Sequence, residues 1–183
     1  CALPISMLDV TATIEGRTTL LDVVASVRDR LSIPLTVGGG VRTVEDAGRL
    51  LAAGADKVAV NSAAVVRPEL ISELAARFGR QCVVVSVDAI RREPFGWETV
   101  IAAGSRRTGL SAVDWSTRAV SLGAGEILLT SHDRDGTGAG YDLDLVRAVS
   151  DSVPVPVIAS GGARTSADLV AALEAGASAT LLA

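Results

Sequence analysis

Two glycine pairs and four aspartates are the residues whose types and spacing could do chemistry in this 183-residue chain. Gly39-Gly40 and Gly161-Gly162 each follow a short apolar run and precede a segment of helical period by about three residues. Glycine lets the backbone approach a ligand closely. The unpaired N–H groups and positive dipole end of a helix start suit an anion such as phosphate. Asn61-Ser62, at the end of the next apolar run, could complete the first such pocket. Asp135-Gly136-Thr137-Gly138 could add small residues and a hydroxyl to the second. The bland alternative is a tight-turn glycine, and it weakens when the pattern occurs twice.

Asp9, Asp88, Asp133 and Asp135 close or follow apolar runs, where a carboxylate is a candidate general acid or base. Their alternative is a helix cap or a salt-bridged surface group, strongest for Asp133 beside Arg134 and weakest for Asp88 after a wholly apolar run. His132 is the single histidine and reads as a loop residue. The aspartates are scattered one or two to a strand end, so no metal site is expected, and no cofactor.

These groups need a scaffold. Short β-branched runs alternate with longer segments of helical period, the pattern of βαβ units on a parallel sheet. Strands are expected at 5–10, 34–37, 57–60, 82–88, 126–130, 155–159 and 179–182. Four helices have clear starts: 18–30, 43–53, 68–78 and 165–175. Gly54, Gly79 and Gly176 stand where helix-ending glycines belong. Between Arg91 and Gly109, glycines and Pro94 punctuate the run 96–102, which reads as a loop carrying a small hairpin.

Residues 34–61 and 156–183 align without gaps at an offset of 122, with ten identities in 28 positions. The identities include both glycine pairs, Arg42 with Arg164, Thr43 with Thr165, and Asp46 with Asp168. Two βα units repeated half a barrel apart suit a (βα)8 TIM barrel better than an open sheet. The expected fold is therefore an incomplete α/β barrel, a single domain over 1–183 that starts at strand two and stops inside strand eight. Phosphate turns on opposite sides of a barrel mouth imply a small molecule phosphorylated at both ends.

Composition removes other classes. A net charge of −4 offers no broad attraction to nucleic acid or an anionic membrane. No apolar run approaches the roughly 20 residues of a membrane helix. Cys1 and Cys82 are the only cysteines; Cys82, heading the run Cys82-Val83-Val84-Val85, is expected to be buried and inert. A reducing cytoplasm fits such a chain.

Six segments together carry a resemblance: Leu35-Thr36-Val37-Gly38-Gly39-Gly40-Val41, Ala55-Asp56-Lys57-Val58-Ala59-Val60-Asn61, Val87-Asp88-Ala89, Gly125-Glu126-Ile127-Leu128-Leu129-Thr130-Ser131, Asp133-Arg134-Asp135-Gly136-Thr137 and Ile158-Ala159-Ser160-Gly161-Gly162. They resemble the cyclase subunit of imidazole glycerol phosphate synthase, of histidine biosynthesis, over nearly the whole chain. The resemblance implies a lyase that uses ammonia from a glutaminase partner subunit. Its substrate is a bis-phosphorylated ribosyl-formimino carboxamide ribotide, and its products are imidazole glycerol phosphate and aminoimidazole carboxamide ribotide. It makes Asp88 the general acid or base with Asp135 assisting, and places Asp9 near the substrate. It puts Asp56 on the glutaminase-facing surface and Lys57 with Glu126 at an ammonia gate.

The same resemblance implies a second essential aspartate and a substrate lysine ahead of Cys1, so the chain is expected to be inactive as given. Two other readings stay open: a non-catalytic phosphate-binding fragment, and the sister phosphoribosyl isomerase of the same pathway.

Overall fold

A computed structural model describes residues 5–9, 21–94 and 96–182. Cys1, the first residues of the expected 18–30 helix, and Ala183 lie outside the described residues. The chain forms two compact units, Cys1–Val84 with Leu122–Ala124, and Val85–Ser121 with Gly125–Ala183.

In the first unit, β1 (Ile5–Leu8), β2 (Leu35–Gly38) and β3 (Lys57–Val60) pair in parallel order. Helices α1 (Leu21–Arg28), α2 (Val44–Ala52), α3 (Ser62–Val66) and α4 (Glu69–Phe78) alternate with them. In the second unit β4 (Val83–Arg91), which enters it from Val85, neighbours β7 (Glu126–Ser131), followed by β8 (Val157–Ser160) and β9 (Ala179–Thr180). The pairs β7–β8 and β8–β9 are parallel. Helices α5 (Ala112–Ser121), α6 (Leu143–Ser150) and α7 (Ser166–Glu174) return the chain between strands. The expected α/β class of repeated βα units, as in (βα)8 barrels, is the observed one.

Most strands are buried, as parallel strands covered on both faces must be. Leu35, Val37, Val58, Val85, Val87 and Ile127 are fully buried, and each stabilises by about 1.5–3 kcal/mol relative to exposure. The exceptions are β1, whose Ile5 and Leu8 are exposed, the short half-buried β9 and the hairpin strand Arg106–Ser111, which is largely exposed.

The repeat holds in register. Ile5 pairs with Leu35 as Ile127 pairs with Val157, and Thr36 with Lys57 as Ile158 with Ala179. All four pairs of partners are related by the offset of 122, so the repeat reaches back to β1 and β7. The sequence hides this extension because 5–9 and 127–131 share one identity, Ile5 with Ile127.

Both repeated helices begin with a reciprocal cap. The Thr43 hydroxyl accepts from the Asp46 amide at 3.1 Å, while the Asp46 carboxylate accepts from the Arg42 and Thr43 amides, each at 3.1 Å. Thr165 and Asp168 repeat this, with amide bonds from Arg164 at 3.0 Å and Thr165 at 2.7 Å. Burial alone raises the Asp46 pKa, but the Arg42 and Thr43 amides, the Thr43 hydroxyl and Arg49 outweigh it and hold the carboxyl below its usual range. The Arg164 amide, then the Thr165 amide and hydroxyl, lower that of Asp168.

Several local expectations are corrected. Cys82 is half-buried at the end of a one-turn 3-10 helix, Arg80–Cys82, instead of inside β4. Gly79, at φ +85°, turns the chain there, and the strand starts one residue later. β4 runs past Asp88 to Arg91 because the hairpin strand β5 (Trp97–Ile101) extends its ladder, Asp88 facing Val100 and Arg91 facing Trp97. The hairpin's second strand is β6 (Arg106–Ser111). The short helix α3 was not expected from the sequence.

Replacing Asp168 by Asn tests the caps. A carboxyl with a depressed folded pKa contributes stability that is complete above its unfolded value, about 3.8 here, and is lost as pH falls through the folded value. The variant should therefore have a lower urea midpoint than the parent at pH 7, with the gap narrowing as pH falls below about 3.8.

Candidate functional site

In the first unit, β1 ends at Leu8 and the Asp9 amide donates to the Gly38 carbonyl at 2.9 Å. The chain then bends at Gly39 and Gly40, at φ +99° and +68°. A Cβ on Gly39 would collide with the Asp9 carbonyl oxygen, so no side chain is possible there. Asp9, Gly39 and Gly40 are thus brought together. The β2–β3 register ends on Gly38 facing Ala59, leaving Gly40 and Asn61 each two residues past that pair. Asn61 and Ser62, both half-buried, open α3.

The helix start behind the turn differs from expectation. The Arg42, Thr43 and Asp46 amides are committed to the capping box, so those donors serve the helix itself.

In the second unit, Gly161 and Gly162 stand at φ +91° and +102°. A Cβ on Gly161 would lie 2.7 Å from the Ser131 carbonyl oxygen. Ser131 corresponds to Asp9 at the offset of 122, so one close approach is used twice. Beyond Ser131 runs a loop, residues 132–142, that carries Asp135, Gly136 and Thr137.

The loop is internally bonded. The Arg134 and Asp135 amides donate to the Ser131 carbonyl at 3.2 and 2.9 Å. The Thr137 hydroxyl donates to the Arg134 carbonyl at 2.6 Å and accepts from the Ala139 amide at 3.2 Å. The Gly140 amide donates to the Gly162 carbonyl at 2.7 Å. A Cβ on Gly162 would strike the Gly140 carbonyl oxygen and meet Arg134 Cβ at 2.9 Å. The Asp135-Gly136-Thr137 loop and the Gly161-Gly162 turn are thus one packed assembly, with Asp135 and Gly136 exposed.

The loop also reaches β4. The His132 amide donates to the Ala89 carbonyl at 2.9 Å, and the Arg91 amide donates to the Asp133 carboxylate at 2.6 Å. Asp88, half-buried, precedes this junction on the same strand. Asp133 is therefore bonded to the backbone of β4 instead of capping a helix or pairing with Arg134. The exposed His132 has its ring over Gly104 of the hairpin turn, where a Cβ would strike it.

Asp56, Lys57 and Glu126 lie at the opposite, starting ends of their strands. The Asp56 carboxylate accepts from the Leu35 amide at 2.8 Å and from Arg28 at 3.0 Å, which ties β2, β3 and α1 together. Lys57 and Glu126 are the first residues of β3 and β7, and both are half-buried. Among the described residues, no group of three His, Cys, Asp or Glu could hold a metal ion. Among those residues, too, no helix is long and apolar enough to cross a membrane.

A family model described as "Histidine biosynthesis protein" matches residues 1–183. The chain belongs to that histidine biosynthesis family. Within it, the imidazole glycerol phosphate synthase subunit HisF of Synechococcus sp. (strain CC9311) is 57% identical over 181 residues, 96% of this chain and 69% of the relative. The subunit of the same name from Synechococcus sp. (strain CC9605) is 55% identical over 181 residues, 96% of this chain and 71% of the relative.

Three residues of this region escaped sequence reading: Arg91, Trp97 and Asp142. The buried Asp142 caps α6, accepting from the Leu145 amide at 3.2 Å, and also accepts from Trp97 Nε1 at 2.8 Å. An aspartate just before the apolar run of α6 is a helix-start signal that could have exposed the first role; nothing local announces the second.

The close approach at Gly161 gives a direct test. Gly161→Ala should lower stability by at least about 1–3 kcal/mol, from the strained φ alone, read as a lower urea midpoint at unchanged m-value.

Proposed function

We propose that this chain carries the cyclase step of imidazole glycerol phosphate synthase. Ammonia reaches it from a glutaminase subunit, and a bis-phosphorylated ribosyl-formimino carboxamide ribotide is converted to imidazole glycerol phosphate and aminoimidazole carboxamide ribotide. The observation that carries this reading is the 132–142 loop, packed on one side against the Gly161-Gly162 turn and bonded on the other to β4 just beyond Asp88. That juxtaposition offers an anion-holding turn and two carboxylates, Asp88 and Asp135, to one substrate.

In this reading the two Gly-Gly turns hold the two phosphates through close backbone. Asn61 and Ser62 add to the first turn, and Gly136 and Thr137 to the second. With the nearby helix amides committed to capping boxes, the helix supports phosphate through its dipole more than through free donors. Asp9 lies against the first turn, where it would meet the substrate end held there. Asp88, half-buried, transfers protons during ring closure, and Asp135 assists from the exposed loop.

Lys57 and Glu126, each the first residue of its strand, serve the entry of ammonia. Asp56 belongs to the glutaminase-facing surface in addition to its bonds to Leu35 and Arg28. The histidine-pathway family and the HisF relatives support this assignment over a phosphate-binding module without chemistry.

Two experiments test it. In the full-length protein, Asp88→Asn should reduce ammonia-dependent formation of imidazole glycerol phosphate by about 10²–10⁴-fold, the usual worth of a positioned acid or base, with KM little changed. Ring-opening isomerisation by the parent protein in place of ring closure would assign it to the isomerase instead. Lys57→Met should depress glutamine-dependent turnover in the complex while sparing turnover on added ammonia. Equal loss on both nitrogen sources would remove Lys57 from the gate.

A further inference from the structure

Arg91 occupies a node that the proposed chemistry does not use. It lies on β4, three residues beyond Asp88, and two aspartates hold it from opposite ends of one loop. Its main-chain amide donates to the Asp133 carboxylate at 2.6 Å, at the start of 132–142. Its guanidinium pairs with the Asp142 carboxylate at 3.5 Å, at the end of the same loop.

The second grip is reinforced. Asp142 is 5% exposed, and a buried carboxylate is stable only if its oxygens are matched by donors. Oδ1 takes the Leu145 amide and Oδ2 takes Trp97 Nε1 at 2.8 Å. The Arg91 guanidinium lies 5.4 Å from the centroid of the same Trp97 ring, within reach of a cation–π attraction. Arg91 and Trp97 also face each other across the β4–β5 ladder. Arg91, Trp97 and Asp142 therefore form a closed triangle of contacts.

We propose that Arg91 is a positioning residue, which through Asp133 and Asp142 clasps both ends of the 132–142 loop and thereby fixes Asp135 relative to Asp88. Between the clasps the loop bonds to itself, to Gly162 and, through the Arg134 and Asp135 amides, to the Ser131 carbonyl at the end of β7. None of these bonds reaches β4, so apart from the bond of the His132 amide to the Ala89 carbonyl the loop is tied to that strand by the two clasps. This rests on the cyclase reading only for its kinetic consequence. The clasp itself is a statement about the loop.

The test uses Arg91→Met, Asp133→Ala and Asp133→Asn in the full-length protein. Arg91→Met removes the guanidinium but keeps the amide. Asp133→Ala removes the first clasp, and Asp133→Asn retains an oxygen for the Arg91 amide. Hydrogen exchange of the 134–140 amides should quicken about tenfold or more in Arg91→Met and Asp133→Ala and remain near the parent rate in Asp133→Asn. Ammonia-dependent kcat should fall about ten- to a hundredfold in the first two, as expected for misplaced groups. KM should stay within about twofold, and Asp133→Asn should recover most of the loss.

In an Asp88→Asn background the further effect of Asp133→Ala should vanish, because the two act on one proton-transfer geometry. Unchanged loop exchange in Arg91→Met and Asp133→Ala overturns the clasp. Quickened exchange with undiminished kcat overturns its role in positioning. A parent protein without ring-closing turnover overturns the cyclase reading alone, since exchange still reports the clasp.

Discussion

A carbonyl oxygen pressed against a glycine is the constraint on which the rest of this structure depends. At Gly39 and Gly161 the backbone lies so close to the end of the neighbouring strand that a β-carbon cannot be accommodated. That approach ends the strand and turns the chain at positive φ, and the capped helix follows within a few residues. It also forces the strand next door to finish level with the turn, so the residue there, Asp9 in one unit and Ser131 in the other, is delivered to the same place. One steric condition thus sets strand register, helix origin and the location of the polar groups.

The two copies use this scaffold differently. The first keeps a carboxylate at the strand end, Asp9, and a short helix opened by Asn61 and Ser62. The second has a hydroxyl at Ser131 but extends the chain into the 132–142 loop with its exposed Asp135. Chemistry has been separated from architecture: the bonds that recur at the offset of 122 belong to strands and caps, while the groups that differ lie just beyond them. The buried Glu98 shows the same economy in the hairpin. The Gly109 amide at 2.8 Å and Arg107 at 3.0 Å hold it, and the amide bond first, then Arg107, lowers its pKa against the opposing effect of burial.

Much of this was legible because βα units are written locally. Apolar runs, helix-ending glycines and the repeated Gly-Gly and Thr-x-x-Asp patterns each span fewer than a dozen residues, and they located β2, β3, β7, α2 and α7 to within two residues. Cys82 was misjudged because an apolar run does not reveal where a 3-10 turn precedes it. β4 was cut short because its last residues are strand only by virtue of β5. The grip on Arg91 was invisible for a plainer reason. Its partners are 42 and 51 residues away in sequence, and an isolated Arg or Asp carries no period from which such a meeting can be read.

The matched register also creates a hazard of misassembly, since two copies of one architecture can exchange strands while the chain is still collapsing. What opposes it is volume. Leu35 and Val37 of β2 are replaced at equivalent, fully buried positions by Val157 and Ala159 of β8. On the face these residues share, a strand docked in the wrong copy would overfill by about three methyl-sized groups or fall short by as many, at roughly 0.8 kcal/mol per group. On the other face, Thr36 against Ile158 and Gly38 against Ser160 differ in the opposite sense. The modest divergence between the halves therefore acts as an address, directing each strand to its own core while leaving the backbone plan common to both.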